Sequence, residues 1–263
     1  MPLFAEQAYI AAVAPVTLLF LRFAISAVVL QVWMWASRTP YPKRPAWKNL
    51  CCIGGIGFVL QSLCFFTAIR FANPALVAVL LYCYPILVTL AERVLWKVPL
   101  TGRKCFAIGL TSCGLMCTVT TTIQAQPLGI GLALLAAVIY AAYVLASSQT
   151  MRNEDPLPSC SVIFTSAALV FGGLMQASQQ RLPTTGIAWG ASIGVAACSV
   201  IAVVSLFAGI QQLGASLAST LSTLEPVVAI VFVSLLTGQW LTQDQLIGSG
   251  LILSGAIGMV KTN

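Results

Sequence analysis

Leu128–Ser147 reads LGIGLALLAAVIYAAYVLAS, twenty residues without one charge and apolar around the whole turn of a helix. About 20 such residues cross the hydrocarbon core of a bilayer at 1.5 Å per residue. Composition extends that reading to the rest of the chain. Of its 263 residues, 59% are hydrophobic and only 7% charged, where a soluble domain carries about 25% charged residues. A water-facing surface cannot be built from so few charges. Strands of a membrane barrel alternate apolar and polar residues over ~10 positions, and this stretch does not alternate. The fold class is an all-α polytopic membrane protein.

Working outward, nine runs are long and apolar enough to span: Pro15–Ala36, Leu50–Ile69, Phe71–Ala91, Cys105–Ile123, Leu128–Ser147, Cys160–Ala177, Ile187–Ile210, Ala215–Leu236 and Gln245–Val260. The last is short, with Lys261 able to snorkel at its end. Arg38, Lys43, Arg44, Lys48, Arg93, Lys97, Arg103, Lys104, Arg152 and Lys261 fall in connections on one side; Arg70 and Arg181 fall on the other. Basic residues collect in the cytoplasm, so the C-terminus is expected to be cytoplasmic; the membrane expected is the plasma (inner) membrane. The formal charge of +7 therefore reads as topology and not as a nucleic-acid surface. Met1–Ala14 is too short to cross, contains Glu6 and lacks the basic start of a signal peptide. It reads as the outer end of a tenth helix whose first half is truncated.

Nine cysteines sit almost wholly inside apolar runs without a CxxC pair, and a free thiol there behaves as a small hydrophobe. Histidine is absent, which removes the His-dependent triads and the usual metal sites. No cofactor is expected.

A shift of 141 residues superposes 72–120 on 213–261 without a gap, with ten of 49 positions identical. Leucine matches are cheap in so apolar a chain. Pro85/Pro226, Gly109/Gly250 and Gly114/Gly255 are more specific, because each imposes a backbone demand. The expected division is a first repeat over 1–124, lacking most of its first helix, and a second over 125–263. Five helices per repeat is an odd number, so the second copy enters from the opposite side. That is an inverted five-helix repeat, the plan of secondary transporters that hold substrate near the midplane.

In order and spacing the chain resembles the drug/metabolite transporter superfamily, EamA type. The likeness rests on Pro15-Val-Thr-Leu-Leu-Phe-Leu-Arg22-Phe23 and on two matched units. The first is Asn73-Pro74-Ala75…Tyr84-Pro85…Leu100-Thr101…Gly109…Gly114. The second is Gly214-Ala215-Ser216…Leu224-Glu225-Pro226…Gly238-Gln239-Trp240-Leu241-Thr242…Gly248…Gly255. The resemblance implies ten helices, five plus five, and export of amino acids or similar metabolites. Two departures stand out: most of the first helix is missing, and Val98 and Gln239 occupy loop positions that are often acidic in the family.

Glu225 is the residue most expected to carry chemistry. It lies ten residues into its span, roughly 15 Å deep, where an acidic side chain costs ~3 kcal/mol unless it faces an internal cavity. A carboxyl there can take up and release a proton. Pro226 follows it directly and favours a kink by freeing a carbonyl one turn back. Pro85 does the same for Tyr84, which occupies the repeat position of Glu225. Arg22 lies seven residues into the first span and must snorkel, meet an anion, or pair with Glu6, Glu225 or a substrate carboxylate. Gln61, Tyr82, Tyr140 and Tyr143 add hydrogen-bonding capacity. Trp33, Trp35, Trp47 and Trp96 read as interfacial anchors. Gly54-Gly55-Ile56-Gly57 and Gly248-Ser249-Gly250 allow close helix approach.

The function expected is a secondary transporter working by alternating access on a small metabolite or drug, with the bilayer and that substrate as partners and a homodimer left open. No GxxxxGK[ST] sequence exists, so ATP coupling within the chain is not expected; a proton carried by Glu225 is the natural energy source. The alternative is a non-transporting subunit or an inactive fragment. An intramembrane enzyme would need a base near a nucleophile, and no Lys or second carboxylate lies at mid-depth.

Overall fold

A computed structural model describes residues 2–118, 126–237 and 242–260, and every element in them is helical. The Glu6 side chain, Gln239 and Lys261 lie outside this described part. The helices are α1 (Pro2–Ile10), α2 (Pro15–Ser37), α3 (Arg44–Cys52), a π-helical segment Ile53–Phe58, α4 (Val59–Ala68), α5 (Pro74–Leu81) and α6 (Tyr84–Trp96). They continue as α7 (Gly102–Cys117), α8 (Pro127–Thr150), α9 (Pro156–Ala177), α10 (Gly186–Leu213), α11 (Ala215–Ser222), α12 (Leu224–Thr237) and α13 (Gln243–Val260).

Among the described residues seven stretches are long and apolar enough to cross a membrane: Pro15–Ser37, Arg44–Ala68, Pro74–Trp96, Pro127–Thr150, Pro156–Ala177, Gly186–Leu213 and Ala215–Phe232. Each overlaps one of the nine expected runs. The other two runs fall on α7, which has 16 described residues, and on α13, which opens with the polar Gln243, Asp244 and Gln245. Trp33, Trp35 and Trp47 are exposed, and only Cys64 and Cys160 of the nine free cysteines are buried.

Local chemistry accounts for the helix breaks. Proline at position i leaves the carbonyl of residue i−4 without its helical donor. For Pro85 that residue is Leu81, and for Pro226 it is Ser222, and α5 and α11 end at those two residues. Two spans are thus discontinuous at matching places. The shift of 141 also carries the starts of α2, α5 and α7 (15, 74, 102) onto those of α9, α11 and α13 (156, 215, 243).

The chain forms two compact units. One holds Met1–Val59 and Ala146–Gln211; the other holds Leu60–Leu145 and Gln212–Asn263. In the first, α2 runs along α9, with Phe23 fully buried between Phe58, Phe164 and Phe171 at ring separations of 5.2, 5.9 and 5.5 Å. Phe164 is the repeat counterpart of Phe23 (23 + 141 = 164). A residue meets its own counterpart only near a local two-fold axis. Thr17 donates to the Gln180 side chain at 3.1 Å and Gln31 to Thr165 at 2.9 Å, so partner numbers fall as α2 numbers rise. The pair is antiparallel. Gly54 lies against Ile163 and Ser166, so close that a Cβ there would sit 2.4 Å from the Ile163 carbonyl oxygen.

In the second unit α7 and α13 repeat the pattern. A Cβ built on Gly114 would lie 2.6 Å from the Gly248 carbonyl oxygen and 2.9 Å from the Ile252 nitrogen. On Gly255 it would lie 2.6 Å from the Ala107 oxygen and 3.0 Å from the Thr111 nitrogen. Moving every number by 141 converts one set of contacts into the other. These two helices also run antiparallel, and glycine is needed at both crossings because backbone meets backbone.

Candidate functional site

The broken spans bring polar groups together in the second unit. Because α12 restarts at Leu224, Glu225 stands in its first turn, where free backbone N–H groups carry partial positive charge. Its side chain is exposed, and Tyr82 at the α5–α6 break donates its hydroxyl to Oε2 of Glu225 at 3.2 Å. Tyr82 also packs with Leu224 against the cluster of Leu115, Val227 and Ile252. A flexible carboxylate is thereby held on one side by a ring fixed in the core.

Tyr84 takes a different role from its repeat counterpart. It is 1% exposed, and its hydroxyl bonds to the Ser222 hydroxyl and donates to the Ser219 carbonyl at 3.3 Å. One helical step further along, the Thr89 and Ser216 hydroxyls meet at 2.7 Å. This polar seam joins α6 to α11. Its serines exist in one copy only: Ser216, Ser219 and Ser222 correspond to Ala75, Ala78 and Leu81. The Tyr140 ring of α8 meets Tyr84 edge-on at 4.5 Å and stacks on Tyr143 at 5.6 Å. Aromatic rings thus continue from the break into α8.

Gln61, in the same unit, is buried and accepts a hydrogen bond from the Ser62 hydroxyl at 3.4 Å. Arg22 belongs to the other unit. Its guanidinium lies 5.0 Å from the Phe23 ring centroid and 5.6 Å from that of Phe58, within the range of a cation–π contact. Pro85 and Pro226 stand just inside the starts of α6 and α12, as the helix breaks require. Tyr82, which the sequence offers only as added hydrogen-bonding capacity, is the residue that meets Glu225. Aligning copies pairs Tyr84 with Glu225, but an antiparallel crossing pairs residues at the two breaks. The signal available was the proline spacing, which sets the end of α5 just before Tyr82. No group of three or more His, Cys, Asp or Glu gathers among the described residues.

A model of the EamA-like transporter family matches residues 2–120 and 127–261. The chain belongs to the EamA-like transporter family. It is an integral membrane protein of the drug/metabolite transporter type. The uncharacterized transporter YwfM of Bacillus subtilis (strain 168) is 27% identical over 236 residues, covering 88% of this chain and 79% of that protein. A solved crystal structure superposes with a TM-score of 0.84 at 20% identity, over 99% of this chain and 91% of the other. That likeness bears on the fold alone.

Proposed function

We propose that the chain is a proton-coupled secondary transporter that exports small metabolites, amino-acid-like compounds among them, by alternating access. The observation that carries this reading is Glu225, exposed in the first turn of a half-helix and hydrogen-bonded to Tyr82 at the facing break. Discontinuous helices place backbone and carboxylate where a polar substrate or a proton can be bound inside an apolar bundle. Glu225 is the proton carrier in this proposal. Tyr82 orients it, Tyr84 and Pro85 with Pro226 fix the helix ends around it, and Gln61 of the same unit is a further polar contact for substrate; Arg22, in the other unit, is proposed as a substrate contact by itself.

The proposed architecture is two inverted repeats, 1–124 and 125–263, with α7 and α13 completing nine spans and the C-terminus in the cytoplasm of the inner membrane. The reciprocal antiparallel contacts of α7 with α13 in one unit, and the meeting of Phe23 with Phe164 in the other, each support a local axis lying across that helix pair. Under such an axis an odd number of spans per repeat inverts the second copy.

The test is flux. Proteoliposomes loaded with a mixture of amino acids and related small metabolites should lose at least one of them when a pH gradient is imposed, and protein-free vesicles should not. Retention of every metabolite under gradients of either sign would contradict the transporter reading.

A further inference from the structure

The second unit has a hollow that the proposed transport path does not use. On the outer side of the α7–α13 pair lies a groove of about 400 Å³ lined by Arg103, Phe106, Ala107 and Leu110 of α7 and by Ser254 and Gly258 of α13. Small side chains create it: Ala107 and Gly258 lie side by side, and a Cβ on Gly258 would stand 3.6 Å from that of Ala107. The Ser254 hydroxyl is already donated to the Gly250 carbonyl at 2.7 Å. Arg103 is therefore the polar handle of an otherwise apolar wall, and Lys104 follows it in the first turn of α7.

Phe106 is 72% exposed, and with α7 as a span, on which this inference rests, the medium facing such a ring is lipid. An apolar hollow gives water too few hydrogen-bond partners to fill it. Hydrocarbon fills it at no such cost. Charge then selects the headgroup, because paired basic residues beside an apolar groove favour an anionic lipid. The repeat supplies an internal comparison. Arg103 and Lys104 correspond to Asp244 and Gln245, and Ser254 and Gly258 to Cys113 and Cys117. The same place in the other copy carries an acid, so the repeat fold itself does not demand a base at Arg103.

We propose that the groove between α7 and α13 seats an acyl chain of an anionic phospholipid whose phosphate is held by Arg103 with Lys104 beside it.

Native mass spectrometry of the full chain in detergent, titrated with phosphatidylglycerol or phosphatidylcholine, tests this. Each basic residue near a lipid surface strengthens anionic-lipid binding roughly 5-fold. Wild type should accordingly prefer phosphatidylglycerol, Arg103→Gln should weaken its binding about 5-fold, and adding Lys104→Gln should bring the two lipids to parity. Ser254→Phe, at an exposed position, should fill the hollow and weaken both lipids together. Equal binding of the two lipids to wild type would overturn the proposal. So would a preference that survives the double substitution, phosphatidylglycerol binding untouched by Ser254→Phe, or displacement of the lipid by equimolar glycerol phosphate, which would mark a free-phosphate site.

Discussion

Replacing Gly114 with alanine tests the packing that holds the second unit together. The added Cβ would lie 2.6 Å from the Gly248 carbonyl oxygen, 2.8 Å from the Ile252 side chain and 2.9 Å from its nitrogen. A carbon normally stands about 3.3–3.6 Å from a carbonyl oxygen, so the helices must part by roughly 0.7 Å. A gap of that size forfeits about a quarter to a half of the attraction of each contact along the seam. Overpacking of this kind costs about 1–3 kcal/mol, or about 2–4 °C per kcal/mol in a chain of this size class. Gly255→Ala meets the Ala107 oxygen at the same 2.6 Å and should lose as much. Gly109→Ala and Gly250→Ala meet nothing within 4 Å and should be neutral or gain up to about 1 kcal/mol in helix propensity. Apparent melting of the detergent-purified protein, read by loss of the monodisperse peak, gives the comparison. Equal melting of Gly114→Ala and wild type, or equal damage from Gly109→Ala, would refute the close-approach argument.

Four further outcomes can be measured. Tyr82→Phe removes the hydrogen bond to Glu225, worth about 0.5–1.5 kcal/mol, and should displace the pH profile of flux. Tyr84→Phe should leave that profile in place and cost only about 1 kcal/mol of stability, because its hydroxyl serves the α6–α11 seam. Phe23→Ala should cost about 3–5 kcal/mol, since the ring is fully buried among three others; a melting loss under one degree would contradict that packing. Cysteines placed at Lys43 and Lys97 in a cysteine-free background should be labelled only from the cytoplasm, and one at Arg181 only from outside. External labelling at Lys43 would overturn the orientation.

Much of the fold was legible because a span is written in hydropathy alone. Leu128–Ser147 lies wholly within α8 (Pro127–Thr150), and Pro15–Ala36 differs from α2 by one residue at its end. The breaks were legible through Pro85 and Pro226, whose position fixes which carbonyl loses its donor. The π-helical segment over Ile53–Phe58 was not. Its Gly54-Gly55-Ile56-Gly57 was read as a close-approach face, and Gly54 does meet α9, but a register change in the hydrogen-bond ladder has no hydropathy signature. The candidate site, as geometry, was legible in part. Glu225 stood out as an acid at mid-depth, whereas its bond to Tyr82 depends on how two breaks face each other, and linear alignment of the copies cannot supply that. The seam of Ser216, Ser219 and Ser222 was hidden for another reason. Serines in an apolar helix can satisfy themselves on the preceding turn, as Ser219 and Ser222 also do, so their pattern does not announce a partner.

The most direct test of the account is proton-driven flux through Glu225→Gln in proteoliposomes. The two side chains are nearly isosteric, and the amide oxygen of Gln can accept the Tyr82 hydrogen bond in place of the carboxyl oxygen, so the variant should elute and melt like wild type. What it cannot do is release and rebind a proton. The account requires loss of pH-gradient-driven export at unchanged folding. Gradient-driven flux equal to wild type in a correctly folded Glu225→Gln protein would contradict it and reduce Glu225 to a packing group.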